Sequence, residues 1–251
     1  MLAMPERGSG SMGKRSHIIQ ELEHAVGMTS TPDPSDTNLC TPVAVLCDFD
    51  NTITAGDSVV LLYESFGGPK CAELTRRWGR GEVSTMEEQQ GCFAEMTASR
   101  AAMEALLDSV HIDSGFPAFL QFCRRLGYCF AVVSDGLDWI IHYVLRRHGL
   151  NGVTVHANEM RFTPQGVRLS FPHHDPDSPL RGISKPSIIS RYKARGYQVV
   201  FVGDGLTDLE AAPAADLVYA KHELLWHCRE QGIKAHGFSD FADLLEKWVP
   251  I

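Results

Sequence analysis

Short apolar runs punctuate this chain at Val43 to Cys47, Cys129 to Val133 and Val199 to Val202, each stopping at polar or glycine-containing residues followed by a helix-like stretch. A short β-branched run bounded in this way reads as a strand buried on both faces. The repeated alternation predicts an α/β fold in which a parallel sheet is flanked by helices. Helical spacing covers Phe116 to Leu126, Leu137 to His148, Pro186 to Arg195 and Leu206 to Ala212. Between Val59 and about His111 no buried strand is legible, so residues 59–111 are expected to form a small helical cap inserted after the first strand's loop. The core then comprises residues 42–58 and 112–251. Glu159 to Phe171 alternates apolar and polar residues around Pro164-Gln165-Gly166, which predicts a β-hairpin, and Pro172 to Pro179 is a proline-rich loop leading to Lys185.

Residues 1–41 read as an N-terminal extension with Gly-Ser-Gly-Ser and Thr-Pro-Asp-Pro-Ser-Asp stretches. Between them Ile18, Ile19, Leu22 and Val26 are spaced for a short docking helix. The alternative is a loosely ordered extension with no catalytic part.

A chain of 251 residues can bury a full core as one domain with an insertion or as two small domains. Its net charge of −8 argues against a nucleic-acid or anionic-membrane surface, because counterion release needs clustered Lys and Arg. A small anionic substrate is compatible with it if basic groups are local. The 7 cysteines are odd in number and form no CxxC pair, so neither a disulfide framework nor a zinc site is indicated, and reduced thiols in a cytoplasmic protein are expected. No run approaches the ~18 apolar residues of a membrane-spanning helix, and the first 41 residues lack the apolar region of a signal peptide. The sequence does not set an oligomeric state.

Two of the apolar runs end in acids. Asp48-Phe49-Asp50 follows the first, and Asp204-Gly-Leu-Thr-Asp208 follows the third. Parallel strands deliver such residues to their carboxyl ends, where open α/β sheets hold ligands. Residues two apart on an extended segment point the same way, so Asp48 and Asp50 can share one pocket. Asp48 suits a nucleophile that attacks phosphorus, and Asp50 suits a proton donor to the leaving oxygen. Mg²⁺ on Asp48 and Asp204 would offset the negative charge of the reacting groups. Thr52, Ser134 and the Ser134-Asp135-Gly136 amides are candidate phosphate ligands, although Ser-Asp-Gly is equally an ordinary helix cap. Lys185 could neutralise both Asp48 and the phosphoryl group. Asp57 is either an acid facing the substrate or the N-cap of a helix over Ser58 to Phe66. Arg76, Arg77, Trp78 and Arg80 could meet a substrate carboxylate or hydroxyls, or simply lie exposed. His173, His174, Asp175 and Asp177 have ligand chemistry without diagnostic spacing.

In order, Asp48-Phe-Asp50-Asn-Thr52, Ser134, Lys185 and Gly203-Asp204-Gly-Leu-Thr-Asp208 resemble the four motifs of the haloacid-dehalogenase superfamily. The helical interval resembles the small cap of its phosphoserine-phosphatase-like branch. Phe171-Pro-His173, Lys185-Pro-Ser-Ile-Ile and Asp208-Leu-Glu-Ala-Ala are similar to the methionine-salvage phosphatases of that branch. Asn51 departs from the more usual glycine. The resemblance implies a Rossmann-like core, a phosphoenzyme at Asp48, Mg²⁺ held by Asp48, the Asp50 carbonyl and Asp204, and support from Asp208 to a metal-bound water or to Lys185. The expected function is Mg²⁺-dependent hydrolysis of a small phosphorylated metabolite. Phosphoserine phosphatase, phosphomutase and a catalytically silent binding module are the alternatives.

Overall fold

The computed structural model describes residues 41–251; the stretch holding Ile18, Ile19, Leu22 and Val26 lies outside them. The strands are β1 (Val43–Cys47), β2 (Cys129–Leu137), β3 (Thr154–Thr163), β4 (Gly166–Ser170), β5 (Gln198–Gly203), β6 (Leu217–Ala220) and β7 (His236–Gly237). They form one sheet in the order β4-β3-β2-β1-β5-β6-β7. Every pairing is parallel except the β3–β4 hairpin, which turns where the Pro164-Gln165-Gly166 signal predicts. The first half of β3 also pairs with β2, from Ala131 opposite Thr154 onward, which the hairpin pattern does not reveal.

All five residues of β1 are buried, and alternation assigns them to two cores. Val43, Val45 and Cys47 face a layer that includes Leu62, Phe93, Phe119 and Phe241, whereas Ala44 and Leu46 face Ile188, Ile189, Phe201 and Leu224. From β1 the chain runs outward through β2 and β3, then returns to the other side as β5, β6 and β7. This reversal beside β1 opens a crevice at the strands' carboxyl ends, the usual ligand position in such sheets.

Between β1 and β2 lie α1 (Ser58–Phe66), α2 (Pro69–Gly79), α3 (Thr85–Glu95) and α4 (Arg100–Leu107). Sequence-local caps set their starts. The Asp57 carboxylate accepts from the Val59 and Val60 N–H groups, and Ser84 with Glu87 forms a capping box on α3. The two ends of the insertion are stitched together at its base, where Ala55 N donates to His111 O and Asp113 N to Ile53 O. After the insertion come α5 (Phe116–Arg125), α6 (Asp138–Arg147), α7 (Lys185–Lys193), α8 (His222–Glu230) and α9 (Phe241–Glu246).

Three local expectations are corrected. The helix expected over Leu206 to Ala212 is two 3-10 turns, Leu206–Asp208 and Ala212–Ala214. The Asp208 side chain accepts the Asp204 and Gly205 N–H groups and folds the chain back before an α-turn can propagate. Ser134, Asp135 and Gly136 do not open a helix, because β2 continues to Leu137 and α6 begins at Asp138. Finally, Cys71 and Cys92 form a disulfide, with Cα atoms 4.4 Å apart. They lie 21 residues apart on facing helices, so linear spacing could not expose the pairing. Cys47, Cys123, Cys129 and Cys228 are free thiols. Among the described residues no helix is long and apolar enough to cross a membrane.

An aromatic cluster ties the C-terminal helix to the sheet. Phe119 packs at a tilt against Phe241 at 5.2 Å and against Trp248 at 5.5 Å between ring centroids. Phe119 is fully buried. Phe119→Ala should therefore lower the unfolding free energy by about 3–5 kcal/mol, read from urea denaturation.

Candidate active site

The carboxyl ends of β1, β2 and β5 bring Asp48, Ser134 and Asp204 to one crevice. Asp48 is anchored there by its N–H, which donates to Val202 O across the β1–β5 seam at 2.9 Å. Lys185, at the start of α7, is 2 % exposed and reaches both Asp48 Oδ1 at 2.9 Å and Asp208 Oδ1 at 2.5 Å. Pro186 in the first turn and the Ser184 side-chain cap fix where α7 begins, and thus where the ammonium enters. Burial alone would lower the Lys185 ammonium, but the Asp208 and Asp48 carboxylates outweigh it and raise it above the ordinary lysine range. It stays charged. Burial and then the Asp208 charge raise the Asp48 carboxyl, and Lys185 opposes them.

Carboxylate oxygens of Asp48, Asp204 and Asp208 lie within 4.8 Å of one another. Asp208 has both oxygens committed, one to Lys185 and the other to the Asp204 and Gly205 N–H groups at 2.9 and 3.1 Å. It positions its neighbours. Asp48 and Asp204 are thus the acids with capacity for a cation. Three close carboxylates with one bonded ammonium retain excess negative charge, and an all-oxygen donor set suits a hard divalent ion such as Mg²⁺. The residues fit that ion.

Asp50 Oδ1 accepts from both the N–H and the hydroxyl of Ser58, at 2.7 and 2.6 Å. Its Oδ2 lies beside Gly136, where an added Cβ would sit 3.0 Å from that oxygen and 3.1 Å from Ser134 Oγ. A side chain at 136 would crowd both groups. Burial, then the Asp57 charge, pushes the Asp50 carboxyl up to about 8, against the Ser58 hydrogen bonds. Asn51 adopts a left-handed backbone, φ 57°, which explains how a residue other than glycine closes this turn: Asn is among the few that tolerate it.

Other candidates take different places. The Thr52 hydroxyl donates to Asp204 Oδ1 at 2.7 Å, so it orients a carboxylate rather than facing the open cavity. Ser134 Oγ accepts from Gly136 N. The Asp135 carboxylate is a structural hub: Oδ2 accepts from Thr85 Oγ1 on α3 at 2.7 Å, and Oδ1 accepts from the Gly182 and Ile183 N–H groups at 2.9 and 3.1 Å. Its main-chain carbonyl accepts from Gln89 and Asn158. Asp57 caps α1 and also borders the cavity, so both readings of it coincide. Arg76 pairs with Glu73, while Arg77 and Arg80 pair with Glu82. Of that group only Trp78 borders the cavity. Among the described residues, the His173 to Asp177 loop forms no cluster able to hold a second metal.

The crevice opens into a cavity of about 400 Å³ bordered by Asp48, Asp50, Ser134, Gly136 and Asp204 on the strand side. Tyr63, Trp78, Glu88 and Gln89 border it from the helical insertion, and Leu180 and Arg181 from the loop before Lys185. Burial pushes the Glu88 carboxyl up to about 7. Tyr63, Glu88, Gln89 and Arg181 were not legible as site residues. Each is an unremarkable helix or loop position, and only packing of the insertion onto the sheet assembles them.

Against known proteins, residues 45–213 match the model of the haloacid dehalogenase-like hydrolases. The chain belongs to that family. It is 30% identical over 204 residues to the 2-hydroxy-3-keto-5-methylthiopentenyl-1-phosphate phosphatase of Exiguobacterium sp., covering 80% of this chain and 94% of that protein. In structure it resembles a haloacid-dehalogenase hydrolase from Salmonella enterica serovar Typhi, with TM-score 0.65, 17% identity, and coverage of 82% of this chain and 71% of the other. It also resembles a phospho-aspartyl intermediate analogue of phosphoserine phosphatase, with TM-score 0.64, 18% identity, and coverage of 82% and 99%. The Rossmann-like core and inserted helices expected from the motif order are those of this fold.

Lys185→Met should leave Asp48 and Asp208 without their buried counter-ion and lower stability by about 3–5 kcal/mol. Urea unfolding in the presence of a chelator checks this. A loss below about 1 kcal/mol would mean that the two acids do not rely on the ammonium.

Proposed function

We propose that this chain is a Mg²⁺-dependent phosphatase that hydrolyses a small phosphorylated metabolite through a phosphoenzyme at Asp48. The observation that carries this reading is one cavity into which a lysine-paired Asp48, a Ser58-held Asp50 and Asp204 all open. Asp48, Asp204 and the Asp50 main-chain carbonyl would hold Mg²⁺. When bound, the ion draws charge from the phosphoryl oxygens and lets an anionic nucleophile approach.

The Asp48 carboxylate attacks phosphorus as the bond to the leaving oxygen breaks, and Asp50 gives that oxygen its proton. Asp50 then takes a proton from water, whose oxygen attacks the same phosphorus and breaks its bond to Asp48, releasing inorganic phosphate. Ser58 keeps Asp50 aimed through both halves. Lys185 and the Ser134 and Gly136 region hold the phosphoryl group, and Asp208 holds Lys185. Residues 59–111 act as the cap that excludes bulk water and selects the leaving group, residues 42–58 and 112–251 act as the catalytic core, and the enzyme works in the cytoplasm. The named relative supports 2-hydroxy-3-keto-5-methylthiopentenyl 1-phosphate as the first natural ester to test.

With Mg²⁺, purified protein should release phosphate steadily over many turnovers, whereas a phosphomutase would retain the phosphoenzyme. Asp48→Asn should abolish release with the fold intact. Asp50→Asn should slow natural esters by about 100-fold or more, and activated aryl phosphates less, because these need little protonation. Normal turnover by Asp48→Asn would sink the mechanism. Exchange of Mg²⁺ for Ca²⁺ should suppress release, since Ca²⁺ favours longer bonds and more ligands; full activity after exhaustive chelation, with metal content measured, would remove Asp204 from metal binding.

A further inference from the structure

The disulfide takes no part in the phosphoryl chemistry, yet it occupies a particular place in the insertion. Cys71 lies in the first turn of α2 and Cys92 near the end of α3, and both are buried. Where α3 buries Thr85, Glu88, Gln89, Cys92 and Phe93, α2 buries Cys71 alone among its 11 residues. A helix in a protein draws most of its stability from an apolar face packed on its neighbours, and α2 has little of that beyond the partly buried Leu74. Hydrogen bonds from Cys71 N to Glu95 Oε2 and from Trp78 Nε1 to Thr85 Oγ1, both 3.1 Å, assist it. Its arginines pair locally, Arg76 with Glu73 in the same helix and Arg77 with Glu82 just after it. The covalent bond is therefore the principal anchor of α2.

What α2 carries makes that anchor consequential. Trp78 and Gly79 at its end, with Gly81 and Val83 just after it, border the cavity, so the placement of α2 decides whether this wall is formed. Tyr63, another lining residue, meets Phe93 edge-on at 6.0 Å between ring centroids, one residue past Cys92. Oxidation is confined to this pair among the described residues, because Cys47, Cys123, Cys129 and Cys228 are free. In a reducing compartment such as the cytoplasm in which the enzyme is proposed to work, a disulfide is seldom a permanent staple; those found there are mostly transient, catalytic or redox-sensing.

We propose that Cys71 and Cys92 form a redox-responsive site that sets the state of the cap: linked, they clamp α2 and complete the cavity wall; reduced, they free α2 and open that wall. A dithiol reductant supplies two electrons and two protons. Its thiolate attacks one sulfur to give a mixed disulfide, its second thiol then closes the reductant's own disulfide, and Cys71 and Cys92 are left as two thiols. Because both residues are buried, exchange proceeds from molecules in which the sparsely packed α2 has opened locally.

The full-length protein treated with glutathione disulfide should yield a linked Cys71–Cys92 peptide by mass spectrometry, which dithiothreitol removes. Once the dithiol is cleared by anaerobic gel filtration, trypsin should cut after Arg76 and Arg77 about tenfold faster than in the oxidised protein. With Mg²⁺, reduction should lower kcat/KM for p-nitrophenyl phosphate about threefold to tenfold, and reoxidation of the same sample should restore it, which separates the effect from irreversible unfolding. The double variant Cys71→Ala, Cys92→Ala should stay at the reduced level of both readouts whatever the redox state, and Cys129→Ala should respond as the wild type does. Absence of the linked peptide, equal trypsin rates in the two states, equal kcat/KM in an active enzyme, or a response that survives in the double variant overturns the switch. The kinetic readout rests on the phosphatase reading and the proteolytic one does not. No phosphate release in either state, with the trypsin difference intact, overturns that reading and leaves the clamp on α2 standing.

Discussion

The buried ammonium of Lys185 is the interaction on which the site depends. It joins Asp48, just past the end of β1, to Asp208 beyond β5 inside a nearly solvent-free pocket. Carboxylates this close repel one another strongly when desolvated, and the ordinary response of such a cluster is protonation. A fixed cation opposes that response and favours the anionic form of Asp48. Asp208 completes the arrangement by spending one oxygen on Lys185 and the other on the backbone that carries Asp204. One acid thus holds both the counter-ion and the loop of the second metal-ligand candidate.

That geometry explains the fold's details around it. Gly203 precedes Asp204 where an added Cβ would sit 2.5 Å from Asp208 Oδ2, so the strand end has no room for a side chain. The 3-10 turn over Leu206–Asp208 follows from the same carboxylate folding back on its own chain. Thr52, Ser58 and Lys221 hold the β1 loop: Thr52 binds Asp204, Ser58 binds Asp50, and Lys221 Nζ donates to Thr52 O. The candidate reacting acids are therefore oriented by neighbours that are themselves buried, which holds a site's geometry fixed.

Asp135 plays the corresponding part for the helical insertion. Its carboxylate gathers Thr85 from α3 and the N–H groups of Gly182 and Ile183 from the loop that leads to Lys185. The insertion, the second strand and the lysine loop are thereby fixed at one point. The insertion also shares the sheet's hydrophobic core through Leu62, Phe93 and Met103. Its placement over the crevice rests on both apolar packing and this polar node.

By itself the sequence determined the strands that lead to Asp48 and Asp204, the helical character of the insertion, the hairpin after Glu159 and the helix that begins beside Lys185, and it offered Asp57 as one of two readings, an N-cap or an acid facing the substrate. Each of these follows from a local cause: hydrophobic period, a turn residue, or a side chain bonding to its own backbone. Tertiary structure alone decided that Thr52 faces Asp204, that Asp135 binds the insertion, that Cys71 meets Cys92 and that the surface arginines pair away from the cavity while Tyr63 and Glu88 border it. These outcomes depend on which faces of distant segments meet. A residue's chemistry is written in the chain, but its partner is set by packing, and packing brings together positions as far apart as Thr52 and Asp204.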